Sequence, residues 1–237
     1  YLVRRGRAPR SLEPTLRRVL GLDVEPAPLA RRMRGEPSLR PLARAVRGMR
    51  PPRFSELFET FANVVPFQQV SLSAGVAVVG RLVERFGREL AHEGQTFHAF
   101  PRAEEVADAR LDALRRCGLS AHKAESLRAL ARLVASGELT EAALARMDTR
   151  EALERLVALP GIGPWSANLV LLRGLGRLDA FPPGDVGAQR GLRELLGLGS
   201  QTPLDRALER FGDLRGYLYF CALAHRLLAA ELIHPAP

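Results

Sequence analysis

The chain of 237 residues has few cysteines, almost no lysine and no long apolar run. Its two cysteines, Cys117 and Cys221, are too few for a disulfide scaffold or a site with four thiolate ligands, and they fit a reducing cytosol better than secretion. No stretch approaches the roughly 18 apolar residues that a membrane-spanning helix needs. The first ten residues carry charge with no apolar segment behind them, so we expect neither a membrane anchor nor a signal peptide.

The positive charge is almost entirely arginine and lies at one end of the chain. Of the 35 basic residues only Lys123 is a lysine, so chemistry that requires a lysine amine must use that residue or be absent. Residues 1–53 hold fourteen arginines against four acidic residues, whereas the rest of the chain is nearly neutral. This asymmetry favours a polyanionic partner such as nucleic acid. The alternative is a general bias of the composition towards arginine, since 34 of the 35 basic residues are arginine.

Helical patterning dominates the chain, and strand signals are scarce. Apolar residues make up 46% of the sequence and charged residues 26%, which is ordinary for a globular protein and excludes a disordered or collagen-like chain. Only residues 15–24 have β character, and residues 91–102, AHEGQTFHAFPR, are predicted as a loop. Helices are predicted near residues 57–65 and over 71–87, 103–117, 120–136 and 149–159, with another beginning at Thr140. The pattern predicts an all-α bundle of about ten helices.

The most informative segment is LERLVALPGIGPWSANLVLL, residues 153–172. A helix is predicted to end at Leu159, Gly161 and Gly163 permit a tight turn, and Pro164 suits the first position of a new helix because its missing N–H needs no partner there. Such a turn presents backbone N–H groups at a helix N-terminus, where they can bind a phosphodiester without reading its sequence. The alternative is an ordinary connection between two helices.

Four segments resemble a known family. LPGIGPWSAN, residues 159–168, resembles the helix–hairpin–helix motif of the HhH-GPD superfamily of DNA glycosylases. LDAFPPGDVGAQR, residues 178–190, is similar to the Gly/Pro-rich loop that carries the family's catalytic aspartate. VVPFQQVSL, residues 64–72, and LRRCGLSAHKAESL, residues 114–127, resemble two further family segments. Their order fits the AlkA-like, 3-methyladenine branch best, over about residues 54–230.

The resemblance implies an all-α protein of two helical lobes with a DNA-binding cleft between them. Residues 54–170 are expected to form the lobe with the hairpin, and residues 171–237 to contribute the aspartate loop and the C-terminal helices. The basic, Pro-rich residues 1–53 are expected to pack with the C-terminal lobe. Longer relatives carry a β-sheet subdomain in this region, where the resemblance is weak, and we expect that subdomain to be largely missing.

Asp185 is the residue that matches the family's catalytic aspartate. Cleavage of an N-glycosidic bond develops positive charge on the sugar, and a fixed carboxylate beside it stabilises that charge and can orient the attacking water. The alternative is that Asp185 caps the helix that begins near Val186. The two roles are compatible.

Trp165 stands where lyase-type relatives carry a lysine that attacks the sugar and forms a Schiff base. The resemblance therefore implies a monofunctional enzyme that uses water and has no lyase activity. An indole here can line the substrate pocket and stack on an electron-poor alkylated base, although a core tryptophan is the simpler alternative. Leu169 and Val186 are the other pocket residues that the resemblance implies, so the pocket is less aromatic than in AlkA-like relatives.

A damaged base must leave the duplex before it can be excised, and a side chain must then fill the gap. By family position that side chain is Gln69, although Gln68 and Gln69 equally suit a cap or a solvated turn. The resemblance implies these DNA-binding residues: Gly161, Ile162, Gly163, Ser166, Gln68 and Gln69. No metal or other cofactor is expected, because the five histidines lack ligand spacing and the C-terminal part has too few cysteines for the iron–sulfur cluster of some relatives.

These expectations combine into one function and two alternatives. The chain is predicted to be a monomeric, cytoplasmic, nucleoid-associated glycosylase that excises alkylated bases from double-stranded DNA, with no membrane partner. The first alternative is a non-catalytic helix–hairpin–helix DNA-binding protein, which would gain nothing from a carboxylate near phosphates. The second is a glycosylase for another damaged base, such as a lyase-type enzyme for oxidised bases, against which the single lysine argues.

Overall fold

The structure is a computed structural model that describes residues 12–199, 202–229 and 231. The described residues contain fourteen α-helices, three short 3-10 helices, one π-helical segment and one two-stranded sheet, which confirms the predicted all-α class. The prediction that no signal peptide is present concerns residues 1–10, which carry four of the fourteen N-terminal arginines and lie outside the described residues. Within the part that is described, no helix has the length and hydropathy that crossing a bilayer requires.

The chain divides into two compact units. The terminal unit comprises the described residues up to Ser55 together with those from Gly176 onward, and the central unit comprises Glu56–Leu175. The α-helices of the terminal unit are α1 (Leu12–Val19), α2 (Ala27–Gly35), α3 (Arg40–Ala45), α12 (Val186–Leu196), α13 (Leu204–Glu209) and α14 (Arg215–Ala229), with 3-10 helices at Pro37–Leu39 and Gly212–Leu214.

The central unit carries the hairpin segment and the only strands in the described residues. Its elements are α4 (Leu57–Val64), a 3-10 helix (Val65–Phe67), α5 (Leu72–Phe86), β1 (Glu89–His92), β2 (Gln95–His98), α6 (Ala103–Ala107), α7 (Leu111–Arg116), α8 (Ala121–Ala135), α9 (Glu141–Arg146), α10 (Thr149–Val157), α11 (Pro164–Leu169) and a π-helical segment (Val170–Leu175).

Helix α8 is the centre of the central unit and packs against α4, α6 and α7. It contributes Leu127 and Leu130 to the core, and α4 contributes Phe58 and Phe61; all four side chains are at most 1% exposed. Burial of such large apolar side chains is the main force that holds helices of this length together, because short isolated helices are marginal in water. The packing of α8 therefore fixes the position of this helix, including its N-terminus, within the central unit.

Three helices of the central unit begin with a side-chain cap. The side-chain oxygens of Ser71, Ser120 and Thr140 each accept a hydrogen bond from the backbone N–H three residues further on, at 3.3, 3.3 and 3.2 Å. Each bond satisfies one N–H group that the first helical turn cannot pair internally. Ser71 and Ser120 therefore cap α5 and α8, and Thr140 caps α9 just before its first residue.

The prediction of a loop over residues 91–102 is wrong for residues 91–98. Strands β1 and β2 pair antiparallel, with Leu90 opposite Phe97. The turn between them consists of Glu93 and Gly94, whose φ angles are 47° and 76°. Two successive positive φ angles define a turn whose twist matches paired strands. Glutamate is an uncommon residue in that conformation, so the residue pairs that usually mark a β-hairpin turn, such as Asn-Gly or Asp-Gly, are missing from the sequence.

Two further predictions need correction. Residues 12–19 form α1, although residues 15–24 were expected to have β character. Leu12, Leu16 and Val19 recur at helical spacing, which is the stronger signal over a segment of this length. A single helix was predicted over residues 103–117, but the structure has two helices there, α6 and α7, separated by non-helical residues 108–110.

In the terminal unit, N-terminal and C-terminal residues share one hydrophobic core. Its fully buried members include Met33 and Leu39 from the N-terminal part, and Phe211, Tyr217 and Cys221 from the C-terminal part. The Tyr217 hydroxyl donates a hydrogen bond to the carbonyl oxygen of Met49. Burial raises the pKa of Tyr217 to about 12, because the phenolate would lie in an apolar core.

Several N-terminal arginines hold the backbone of the terminal unit rather than facing only solvent. Arg18 donates to the carbonyl of Phe54 at 2.6 Å, and Arg32 donates to that of Arg210 at 2.6 Å. Arg50 donates to two carbonyls of the segment after α1, at Leu22 and Val24. Some of the arginines whose charge favoured a polyanionic partner therefore bond to the backbone of the terminal unit and stabilise its fold.

Candidate functional site

The turn between α10 and α11 is the predicted helix–hairpin–helix connection. Its backbone reverses at Gly161, which has a φ of 73°. The N–H of Ile162 donates to the carbonyl oxygen of Leu159 at 3.2 Å, and the Ile162 side chain is 4% exposed. Ile162 thus closes the turn and anchors it in the core, so neither its side chain nor its N–H is presented to a ligand.

The two glycines of the turn serve different purposes. Gly161 has the left-handed backbone that favours glycine, and a Cβ there would overlap the side chain of Ser126 on α8. Gly163 has a φ of −92° that any residue adopts, and apart from the glycine itself and its two neighbours in the chain, no atom of the described residues lies within 4 Å of where its Cβ would be. The left-handed φ angle of the turn is therefore found at Gly161 and not at Gly163, where the lack of a side chain leaves the surface open.

Backbone donors remain at this open surface. Within the described part of the chain, no backbone hydrogen bond pairs the N–H of Gly161 or of Gly163. Gly163 is the N-cap residue of α11, and Pro164 fills the first helical position as predicted. Such N–H groups at the start of a helix can bind an anion.

Gln68 ties the segment after α4 to the hairpin. Its side-chain Nε2 donates to the carbonyl oxygen of Gly161 at 2.8 Å and to the Oγ of Ser166 at 2.9 Å. Ser166 is 2% exposed, so its hydroxyl serves this bond inside the unit. The side chain of Gln68 thus bonds within the central unit, whereas the adjacent Gln69 is exposed.

Gln69 is exposed and has a φ of 53°, which is uncommon for any residue other than glycine. The two carbonyls that flank Phe67, those of Pro66 and Gln68, both accept hydrogen bonds from the Lys123 amine, at 3.1 and 2.6 Å. Burial lowers the pKa of Lys123 from its ordinary value. The contacts of Lys123 were not predicted, and the only signal in the sequence was its being the sole lysine.

Asp185 begins α12 and caps it. Its Oδ1 accepts a hydrogen bond from the N–H of Ala188 at 2.8 Å, which confirms the predicted capping role. Gly184, which precedes it, has a φ of 71°, so the loop bends sharply just before the carboxylate. The capping bond fixes the orientation of the carboxylate relative to the helix.

A second charged group lies at the first turn of α12. A Cβ at Gly187 would stand 2.6 Å from Nη1 of Arg226 and 3.5 Å from Oδ1 of Asp185. The glycine thus leaves room for an exposed guanidinium on α14 close to the aspartate. No sequence pattern indicated Arg226, since the two residues are far apart in the chain.

The three predicted pocket residues differ in exposure. Trp165 is half-buried, and Leu169, one turn further along α11, is 6% exposed. Val186, at the start of α12, is 79% exposed. The helix containing Trp165 and Leu169 continues as a π-helical segment, a geometry found often at functional sites. Among residues 12–199, 202–229 and 231, no group of three or more metal-ligating side chains could hold a metal ion.

Comparisons with known proteins identify the family. The model of the "HhH-GPD superfamily base excision DNA repair protein" family matches residues 63–212. A DNA-3-methyladenine glycosylase of Bacillus subtilis (strain 168) is 32% identical over 188 residues, which cover 79% of this chain and 62% of that protein. The chain thus spans less than two thirds of the length of this relative.

Two solved structures share the fold. The 3-methyladenine DNA-glycosylase from Archaeoglobus fulgidus has a TM-score of 0.78 and 31% identity, over 92% of this chain and 75% of that one. The Schizosaccharomyces pombe 3-methyladenine DNA glycosylase Mag1, in complex with abasic DNA, has a TM-score of 0.67 and 27% identity, over 84% and 95% of the two chains. Since the family model covers more than half of the sequence, the chain belongs to the HhH-GPD superfamily of base excision DNA repair proteins.

Proposed function

We propose that this protein is a monofunctional DNA glycosylase that flips alkylated bases, of the 3-methyladenine type, out of double-stranded DNA and hydrolyses their N-glycosidic bond. The observation that carries the proposal is the Asp185 carboxylate, fixed at the head of α12 by its 2.8 Å bond to the N–H of Ala188, at the position of the family's catalytic aspartate. The names of the relatives support the substrate class.

The chemistry of Asp185 follows from the charge that develops during the reaction. As the bond between base and sugar breaks, the sugar gains oxocarbenium character, and a carboxylate held nearby lowers the energy of that state. Because the capping bond already orients the carboxylate, little reorganisation is needed as the charge forms. The same carboxylate can orient the attacking water.

The hairpin supplies a site for the DNA backbone. The open surface at Gly163 lets a phosphate approach closely, and the N–H groups of Gly161 and Gly163 can donate to its oxygens. Contacts of this kind position the duplex without reading its sequence. A repair enzyme needs such contacts, because damage occurs in any sequence context.

The position of Lys123 favours hydrolysis by water over a lyase mechanism. A Schiff base needs a free amine that can reach the sugar carbon. The Lys123 amine instead donates to the carbonyls of Pro66 and Gln68, and Trp165 stands at the position of the lyase lysine. The proposed product is therefore an intact abasic site.

Release of free base from methylated duplex DNA tests this function. Asp185→Asn keeps a good N-cap residue, so the variant should fold while losing base release and retaining DNA binding. Asp213→Asn, which removes an exposed aspartate in the same unit, is the matched control and should release base at the wild-type rate. If wild-type protein binds duplex DNA without releasing any damaged base, the chain is a non-catalytic binding protein. A borohydride-trapped adduct with DNA would instead establish a lyase.

A further inference from the structure

We propose that Lys123 is a positioning residue for base extrusion. It holds the turn that presents Gln69 and, through Gln68, keeps that turn at a fixed distance from the hairpin. The inference rests on the proposed function and on the expectation from the family resemblance that Gln69 fills the gap left by the flipped base. Lys123 contacts neither DNA nor the reacting atoms in this scheme; it acts through the backbone of residues 66–69.

The first step of the argument is the geometry around the amine. The Nζ of Lys123 donates to the carbonyl of Pro66 at 3.1 Å and to that of Gln68 at 2.6 Å. An ammonium group has three donors on one compact nitrogen, so a single group can hold two carbonyls that converge on it. The carbonyl of Pro66 belongs to the 3-10 helix Val65–Phe67, and the carbonyl of Gln68 belongs to the turn that follows it.

The second step is that the Gln69 backbone has to be held. Its φ of 53° lies in the left-handed region, which side-chain-bearing residues adopt only when their surroundings impose it. Lys123 bonds to the carbonyl of Gln68, the peptide group that immediately precedes Gln69. Loss of this bond should let the peptide rotate and release Gln69 from its conformation.

The third step is the link to the hairpin. The side chain of Gln68 donates to the carbonyl of Gly161 and to the Oγ of Ser166, while its backbone accepts from Lys123. Gly161 also packs closely against Ser126, one turn after Lys123 on α8. Helix α8 therefore contacts both the Gln69 turn and the hairpin, and Gln68 bonds them to each other within the central unit.

The consequence for the reaction is a fixed offset between two DNA contacts. If the hairpin holds a phosphate, Gln69 stands at a constant distance from it, and binding energy gained at the phosphate can be used to displace a base. A flexible Gln69 turn would bind the same backbone but extrude bases poorly. Lys123 should thus matter most where extrusion is demanding.

The experiment compares one lesion in two contexts under single-turnover conditions. The lesion is either paired in a duplex, where it must be extruded, or placed in an unpaired bulge, where extrusion costs little. Lys123→Met should lower the rate on the paired lesion by about ten- to a hundredfold and leave the rate in the bulge close to that of wild type. Lys123→Arg, which keeps a cationic donor, should restore part of the lost rate. Glu125→Met, on the exposed side of the same helix, is the matched control.

A double-mutant cycle tests whether Lys123 acts through Gln69. Once Gln69→Ala has removed the filling side chain, adding Lys123→Met should cost little further rate on the paired lesion. Additive losses, or equal losses in the paired and bulged contexts, would overturn the proposal. So would a borohydride-trapped adduct at Lys123, which would make the amine a nucleophile.

A readout independent of activity separates this proposal from the proposed function. If the wild-type protein releases no base in either context, the proposed function fails, and the positioning role is judged by amide hydrogen exchange of residues 68–70. Lys123→Met should speed that exchange relative to Glu125→Met while the rest of α8 stays protected. Unchanged exchange at residues 68–70 would refute the proposal that Lys123 holds the turn that presents Gln69.

Discussion

The side chain of Ser126 occupies the space that a Cβ at Gly161 would need, and the added atom would stand 2.6 Å from the Cβ of Ser126. Two residues from helix α8 and the hairpin therefore meet at a point where only glycine fits. At Gly163, two positions later, the corresponding space is empty. The same residue type is required by packing at one position and leaves room for a ligand at the other.

This difference predicts a large loss of stability for one of two matched substitutions and a small change for the other. Gly161→Ala should lower the free energy of unfolding by about 2–4 kcal/mol, because it adds both a strained φ and an overlap with Ser126. Gly163→Ala should lower it by no more than about 1 kcal/mol, the ordinary cost of alanine at an N-cap, since neither its φ nor its surroundings conflict with a methyl group. Urea unfolding of both variants measures these changes, and equal destabilisation would contradict the assignment.

Gly163→Ala should instead weaken DNA binding. A methyl group at the open surface obstructs the approach of a phosphate, so affinity should fall on all DNA sequences alike and the salt dependence of binding should become shallower. Fluorescence anisotropy titrations at several salt concentrations measure both quantities. A folded variant that loses affinity for one lesion only would show that the hairpin reads the base rather than the backbone.

Asp185 should show a capping role and a catalytic role that can be separated. Asp185→Ala removes both and should lose base release together with about 1 kcal/mol of stability. Asp185→Asn keeps a side-chain oxygen for the N–H of Ala188 and should lose base release alone. Denaturant unfolding combined with base release distinguishes the two variants, and an asparagine variant that turns over like wild type would exclude Asp185 as the catalytic residue.

Trp165 should discriminate between charged and neutral damaged bases. Trp165→Ala should cost about 1–3 kcal/mol of base stacking, and the loss should be larger for a cationic alkylated base, because a cation–π contact is lost as well. Trp165→Phe keeps an aromatic face and is the matched control. Single-turnover rates on cationic and neutral lesions make the comparison, and equal losses would leave Trp165 as a wall of the pocket without a charge preference.

Tyr217 should make the terminal unit sensitive to alkali. Its pKa is raised to about 12 from an ordinary value of 10.0, so between these values the folded state keeps a proton that the unfolded state loses. The contribution of this group to the free energy of unfolding is fully present below pH 10. Roughly 2–3 kcal/mol of it is lost as the pH rises towards 12. Tyr217→Phe removes the titrating group and should flatten that part of the stability curve. A wild-type curve that is equally flat would contradict the burial argument.

Features that depend on neighbouring residues could be predicted from the sequence alone. Helix caps at Ser71 and Ser120 bond to N–H groups three residues away, so their spacing is visible in the chain. The Pro-Gly-Ile-Gly-Pro hairpin and the capping position of Asp185 are local in the same way, and the all-α class follows from apolar spacing. Local signals failed at the Glu93–Gly94 turn, where the residue types are unusual for the backbone they adopt.

The contacts of individual residues in the candidate site could be found only from the folded chain. Gln68 bonds to Gly161 across 93 positions, and Lys123 bonds to Gln68 across 55. Such contacts depend on how α8 packs against its neighbours, and no periodicity in the chain encodes them. Exposure decided the rest: Leu169 faces the core and Val186 faces solvent, because burial is a property of the packed unit and not of the side chain.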